Sequence, residues 1–229
     1  MRTWLGVVAA LLASVAVDAA AQNLVLNPSF ETGDTTSWTQ SGGACTFDVQ
    51  APPAASTGAG GFPAQAPIAG ALALNPDATA PGVCQLFQDI ALPAGNTYQL
   101  SFAAGYNYAD LGGDPTGAGC SATVELQTTG GVNIATYFAA AGGANQPLVN
   151  RGTFALPPGV AGTTVRVALT WTSCLGGPTG IPADAFSLTA GGAALGARQV
   201  PTLSEWSLLL LALMVAGGAI FTARRRNPS

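Results

Sequence analysis

Few groups in this sequence could do chemistry: its carboxylates, four cysteines, and one loop where tyrosines, an amide and carboxylates crowd together. The 229 residues contain no histidine, and all seven basic residues are arginines. Without imidazole there is no Ser-His or Cys-His dyad. Without a lysine amine there is no Schiff base or Ser-Lys pair, and no Gly-x-Ser-x-Gly elbow occurs. Catalysis would fall to two carboxylates among Asp89, Asp110, Asp114, Glu125 and Asp184, as in glycoside hydrolysis, but their spacing singles out no pair. No glycine-rich loop leads into a helix to cradle a phosphate. The chain reads as a non-enzyme.

Binding chemistry is better supplied. A pyranose offers apolar CH faces ringed by hydroxyls, so a sugar site needs a flat aromatic surface with polar groups around it. Trp171 and Tyr98 have the strand parity of core residues, and Trp4 and Trp206 lie in membrane-directed segments. What remains is the run Tyr106-Asn107-Tyr108-Ala109-Asp110-Leu111-Gly112-Gly113-Asp114. There Tyr106, Asn107, Tyr108, Asp110 and Asp114 form the candidate ligand-binding set. The competing reading is a solvated turn held by its glycines, with Tyr106 capping the core.

Charge narrows the partners further. Between the two apolar ends the cations are Arg151, Arg166 and Arg198, against Glu31, Asp34, Asp48, Asp77, Asp89, Asp110, Asp114, Glu125 and Asp184. Three scattered arginines build no basic patch, so no nucleic-acid partner is expected. Cys45, Cys84, Cys120 and Cys174 are an even number at wide spacing, which in an oxidising compartment reads as two disulfides. Neither Cys-x-x-Cys spacing nor histidine is available for zinc.

The ends place the chain. Met1-Arg2, an apolar stretch from Leu5 to Val17 and Ala19-Ala20-Ala21 read as a signal peptide over residues 1–22. Near the other end, Trp206 to Ala223 carries no charge, and its length of about 18 residues gives a helix of roughly 27 Å, enough to span a bilayer. Arg224, Arg225 and Arg226 then act as a cytoplasmic stop. Residues 191–199 read as a flexible stalk.

Between the ends, short alternating segments separated by Gly, Pro, Asn and Asp turns point to an all-β domain over residues 23–190. Expected strands include 23–30, 83–92, 97–106, 121–128, 163–172 and 183–190. Tyr98, Leu100, Phe102 and Tyr106 share one parity, as do Val165, Val167, Leu169 and Trp171, so each of these strands buries one face. Some ten short strands suggest two packed antiparallel sheets, a jelly-roll β-sandwich, with an N-terminal signal helix and a single C-terminal transmembrane helix outside it. If strands alternate in direction, all four cysteines fall at the end of the sandwich that carries the Tyr106 to Asp114 loop. Parity leaves all three pairings open; the favoured one is Cys45–Cys84 with Cys120–Cys174, which would staple the roots of long loops.

Two resemblances add to this reading. Val200-Pro201-Thr202-Leu203 with Trp206, the apolar helix and the arginine cluster resembles the IPTL-type C-terminal sorting domain of Gram-negative bacteria, with Val200 for the usual Ile. It implies an exosortase-type sorting peptidase as partner and membrane contact during export. The precursor would be tethered in the inner membrane, then delivered to the cell surface or released after tail processing. Asn23-Leu24-Val25-Leu26-Asn27-Pro28-Ser29-Phe30-Glu31 with Trp38, Tyr98-Gln99-Leu100-Ser101-Phe102, and Asp184-Ala185-Phe186-Ser187-Leu188 are similar to landmarks of the galactose-binding-like jelly rolls, the fold of many carbohydrate-binding modules. That likeness implies a structural calcium on Glu31 and Asp184, although Ala185 stands where the family carries a second Asp. It also implies association with extracellular polysaccharide. The alternative is a structural or adhesive envelope protein that binds no small ligand.

Overall fold

The computed structural model describes residues 22–112 and 114–191. The signal peptide, the stalk beyond residue 191 and the sorting segment fall outside those residues. Among the described residues no helix is long and apolar enough to cross a membrane.

The described strands are β1 (Thr39–Ser41), β2 (Cys45–Thr46), β3 (Val49–Gln50), β4 (Ala73–Leu74), β5 (Asp77–Ala78), β6 (Gly82–Ala91), β7 (Tyr98–Tyr108), β8 (Ser121–Thr128), β9 (Asn133–Ala141), β10 (Gln146–Ala155), β11 (Thr164–Ser173), β12 (Thr179–Gly180) and β13 (Ala183–Ala190). They form a five-stranded sheet ordered β1-β6-β11-β8-β9 and a six-stranded sheet ordered β10-β7-β13-β4-β3, with β12 beside β7; β2 and β5 make a small ribbon. Neighbours on both main sheets are antiparallel. The non-sequential order is that of a double-layer sandwich, which buries one face of each sheet against the other.

Alternation decides the core. On β11, Val165, Val167, Leu169 and Trp171 are buried, as are Cys84, Leu86 and Ile90 on β6 and Ala122, Val124 and Leu126 on β8. Facing them from the second sheet are Leu100, Phe102, Phe186 and Leu188, also buried. Phe186 sits between Phe102, ring centroids 5.7 Å apart, and Trp38, 5.2 Å apart, while Phe47 meets Trp171 edge-on at 5.5 Å. Both disulfides form in the favoured pairing, Cys45–Cys84 and Cys120–Cys174, with Cα separations of 5.9 and 5.0 Å.

Two local expectations change. Residues 23–30 form no strand. Asn27 and Phe30 take positive φ values of 45° and 56°, which break the extended run. The segment is tied in by isolated bonds instead: Leu24 N donates to Leu188 O at 2.8 Å, Phe186 N donates to Pro28 O at 2.9 Å, and side chains add to these. Asn23 donates to Phe186 O at 2.9 Å and accepts from Leu188 N at 2.9 Å. The Gln88 amide accepts from Leu26 N at 2.9 Å and donates to Leu26 O at 3.1 Å and Ser37 O at 2.9 Å. The second change is at Tyr106, Asn107 and Tyr108. They are the last residues of β7, not a loop, because β12 pairs with Tyr108 and Asn107 and extends the ladder.

Candidate functional site

Three places gather side chains with chemistry: the end of β7, a carboxylate pair near the start of β13, and the outward face of the five-stranded sheet.

At the end of β7 the anticipated aromatic platform is internal. Tyr106, Asn107 and Tyr108 are all buried, although Asn107 should face the opposite way from the tyrosines. Chain folds over both faces here: Asn145 Oδ1 accepts from Tyr108 N at 2.5 Å, and Ala109 N donates to Pro178 O at 3.2 Å. The Tyr106 hydroxyl donates to Gly142 O at 2.7 Å, and the Tyr108 hydroxyl donates to Asp114 O. Burial raises the Tyr106 hydroxyl to about 12, with the neighbouring Tyr108 adding to it, so it remains a donor. Of the five candidate residues, Asp110 is exposed and Asp114 half-buried. Asp110 Oδ1 caps Gly112 N at 2.8 Å, and Asp114 Oδ1 accepts from Thr116 N at 2.8 Å. Asp114 is thereby held below the usual carboxylate range, chiefly by the Thr116 hydroxyl and amide. These five residues build a tight sandwich end. Tyr106, Asn107 and Tyr108 lie inside it, while Asp110 and Asp114 lie toward its surface, so the five do not converge on one open surface.

The second place brings together Glu31 and Asp184, as their resemblance to calcium-binding carboxylates implies. Asp184 is fully buried and Glu31 is exposed at its side. Both grip one segment. Asp184 Oδ2 accepts from Ile68 N at 2.6 Å and Ala69 N at 2.8 Å, and Glu31 Oε1 accepts from Ala71 N at 2.9 Å and Leu72 N at 2.8 Å. Asp184 Oδ1 takes the amide of Ala185 at 2.6 Å. Burial pushes the Asp184 carboxyl up; the three amides oppose that, and the charge of Glu31 adds to the rise. In charge the pair suits a hard cation, but the main-chain groups that meet these carboxylates are amide N–H donors, which are not cation ligands. Among the described residues no third His, Cys, Asp or Glu joins them. A second buried acid, Asp77, holds the loop before it in the same manner, accepting from Gly60 N at 2.6 Å, Gly61 N at 3.1 Å and the Ser56 hydroxyl at 3.2 Å.

The third place is one that core parity leaves unexamined. The residues of β6, β11 and β8 that alternate with the core lie in cross-strand rows: Gln85, Thr170 and Thr123; Phe87, Ala168 and Glu125; Asp89, Arg166 and Gln127. Three strands by three rows make a patch of about 10 by 13 Å. Gln85 Nε2 donates to Thr170 Oγ1 at 3.1 Å and to Gln127 Oε1 at 3.4 Å, and Gln127 Nε2 donates to Glu125 Oε2 at 2.8 Å. Arg166 is bidentate to Asp89 at 2.8 and 3.0 Å, and its guanidinium lies 3.5 Å from the centroid of Phe87. Within the patch Ala168 and Gln127 are buried, and the half-buried polar groups are Gln85, Thr123, Glu125 and Thr170; the polar parity of the same strands could have located them from the sequence.

Comparison with known proteins finds one sequence motif and several similar solved structures. The IPTL-CTERM motif matches residues 198–226. No curated protein matches the chain. Among solved structures, TmCBM61 in complex with β-1,4-galactotriose is similar over 75% of this chain and 100% of its own, at 19% identity and a TM-score of 0.45. The CBM22-1 xylan-binding domain of Paenibacillus barcinonensis Xyn10C is similar over 76% and 98%, at 17% identity and a TM-score of 0.40. The K1 cleaved adhesin domain of Lys-gingipain from Porphyromonas gingivalis W83 is similar over 72% and 96%, at 19% identity and a TM-score of 0.45. The chain thus carries an IPTL-CTERM motif at residues 198–226 and, among the described residues, an all-β sandwich.

Proposed function

We propose that this is an exported, surface-sorted envelope protein whose sandwich associates with extracellular polysaccharide through the outward face of the five-stranded sheet, without catalysing a reaction. The observation that supports this most is the row structure of that face. Half-buried Gln85, Thr123 and Thr170 supply groups that both donate and accept, as a hydroxyl-rich chain requires, while buried Gln127 links Gln85 to Glu125 beneath them. Arg166 is already satisfied by Asp89, and Glu125 adds a negative charge, so the favoured ligand is neutral. The sorting motif supports delivery to the surface with an exosortase-type peptidase as partner, and the two disulfides suit a compartment outside the cytoplasm. Retention of the purified protein on neutral polysaccharides tests the reading; absence of binding to every polysaccharide tried would remove it.

One observation favours the alternative, a structural or adhesive envelope protein with no small ligand. The large rings are internal, and the half-buried Phe87 lies under Arg166. Under either reading, we propose that Glu31 and Asp184 hold a structural calcium that bridges the 68–72 segment to the sandwich. Calcium would then add RT ln(1 + [L]/Kd) to the free energy of unfolding, about 2.7 kcal/mol at a hundredfold excess over Kd, and raise the melting midpoint with it. A midpoint equal in calcium and in chelator would reject the ion.

A further inference from the structure

The turn after β7 contains an Asp-Pro bond, Asp114–Pro115, and its carbonyl is held in an unusual way. Asp114 O accepts two donors at once, the amide of Gly117 at 3.0 Å and the hydroxyl of Tyr108. The second donor is fixed by the fold, since Tyr108 ends a long buried strand. Gly176 closes the space beside it: a Cβ there would lie 3.0 Å from both Tyr108 Oη and Asp114 O. The Asp114 carboxylate is attached to the same residue, and Pro115 on the far side of the bond is exposed to water.

We propose that Asp114–Pro115 is an acid-triggered self-cleavage site. A protonated Asp114 carboxyl attacks its own main-chain carbonyl carbon, forming a C–O bond and a five-membered ring. The carbonyl oxygen gains charge where Tyr108 and Gly117 already donate, an arrangement that stabilises a developing oxyanion. The carboxyl proton passes to the Pro115 nitrogen, the C–N bond breaks, and a cyclic anhydride remains on Asp114. Water opens the anhydride, so the net reaction is hydrolysis of one peptide bond. Proline suits the leaving position because its tertiary amide has no N–H to tie into the turn.

The surrounding titratable groups set the pH dependence. They are Asp114 itself, Tyr108 on β7 and Asp110 in the same turn. The Thr116 hydroxyl and amide, then the Ala118 amide, hold Asp114 ionised at neutral pH, so the bond is stable there and cleavage rises with acid. Burial, then the charges of Asp110 and Asp114, push the Tyr108 hydroxyl up, so it stays a donor throughout. Cys45–Cys84 lies wholly before the cut and Cys120–Cys174 wholly after it, so no disulfide joins the fragments. β7 still pairs with β10 and β13 across the cut, which keeps a nicked sandwich assembled until it is denatured.

The test incubates the full-length protein in mildly acidic and neutral buffer, folded and in guanidinium, and follows fragments by denaturing gel and mass spectrometry. The expected result is one cut, ending one piece at Asp114 and starting the other at Pro115. Per protonated Asp114 carboxyl it should be at least about tenfold faster in the folded acidic sample than in the unfolded chain, the pH series of each state correcting for the smaller protonated fraction that the lowered carboxyl has in the fold. Tyr108→Phe, checked for intact disulfides and strand content, should fall to the unfolded rate. On that basis a folded rate no greater than the unfolded one, or a Tyr108→Phe rate equal to wild type, would overturn the proposal. The folded-against-unfolded comparison needs no variant, so misfolding of Tyr108→Phe would leave it decisive.

Discussion

Gly70 offers a direct perturbation of the carboxylate clasp. It takes a φ of 75°, and a Cβ at this position would run into Glu31 Oε1, the oxygen that accepts from Ala71 and Leu72. Gly70→Ala therefore acts twice. The left-handed backbone costs an alanine about 1 kcal/mol. Displacing Glu31 loses two charge-assisted hydrogen bonds, which would be ~1.5–3 kcal/mol each if buried but about 1 kcal/mol each at an exposed carboxylate. The sum is about 3 kcal/mol, or a fall in Tm of roughly 6–12 °C for a domain of this size. Glu31→Ala alone should cost about 2 kcal/mol, and Gly70→Ala on that background only about 1 kcal/mol, a coupling of about 2 kcal/mol. Denaturant unfolding of the four proteins with disulfides intact measures this cycle. Equal costs of Gly70→Ala in both backgrounds would refute the steric link between Gly70 and Glu31.

Asp77 and Asp184 have raised folded-state pKa values, both through burial first, so their contribution to stability is fully present below their unfolded value of 3.8 and is lost as pH rises through the folded value. Asp34 and Asp114 are lowered, so theirs is present above 3.8 and is lost as pH falls through the folded value. Melting temperature should therefore peak in mild acid and fall on both sides; a Tm that climbs steadily to neutral pH would contradict this. Removing the Cys120–Cys174 bridge with a double serine variant should cost about 2–5 kcal/mol in denaturant unfolding, and a loss below about 1 kcal/mol would count against its role at the sandwich end.

Much of the core was legible because alternation is a local signal. The bounds 121–128 and 183–190 were anticipated, and the buried parity on β7 and β11 is the one the apolar residues define. The entry segment 23–30 was not, because isolated backbone bonds to β13 and the side chains of Asn23 and Gln88 hold it, and Gln88 lies 62 residues from its partner Leu26. At Tyr106 to Tyr108 the tyrosines and glycines suggested a loop. The strand forms because β12, two residues long, returns from a distant part of the chain to pair there. Asp184 and Glu31 could be named from resemblance, but not the amides of residues 68–72 that meet them. The sheet face escaped notice because its polar parity was read only as the solvent side of the core.

Contact between this face and polysaccharide is checked by binding isotherms of wild type and a Gln85→Ala/Thr123→Ala variant, at two half-buried positions, on a neutral polysaccharide. Saturable binding by wild type and a loss of at least about tenfold in the variant are expected for two deleted polar anchors, with the Tm changed little. Equal affinity in the two proteins, or no binding by wild type, would contradict that contact.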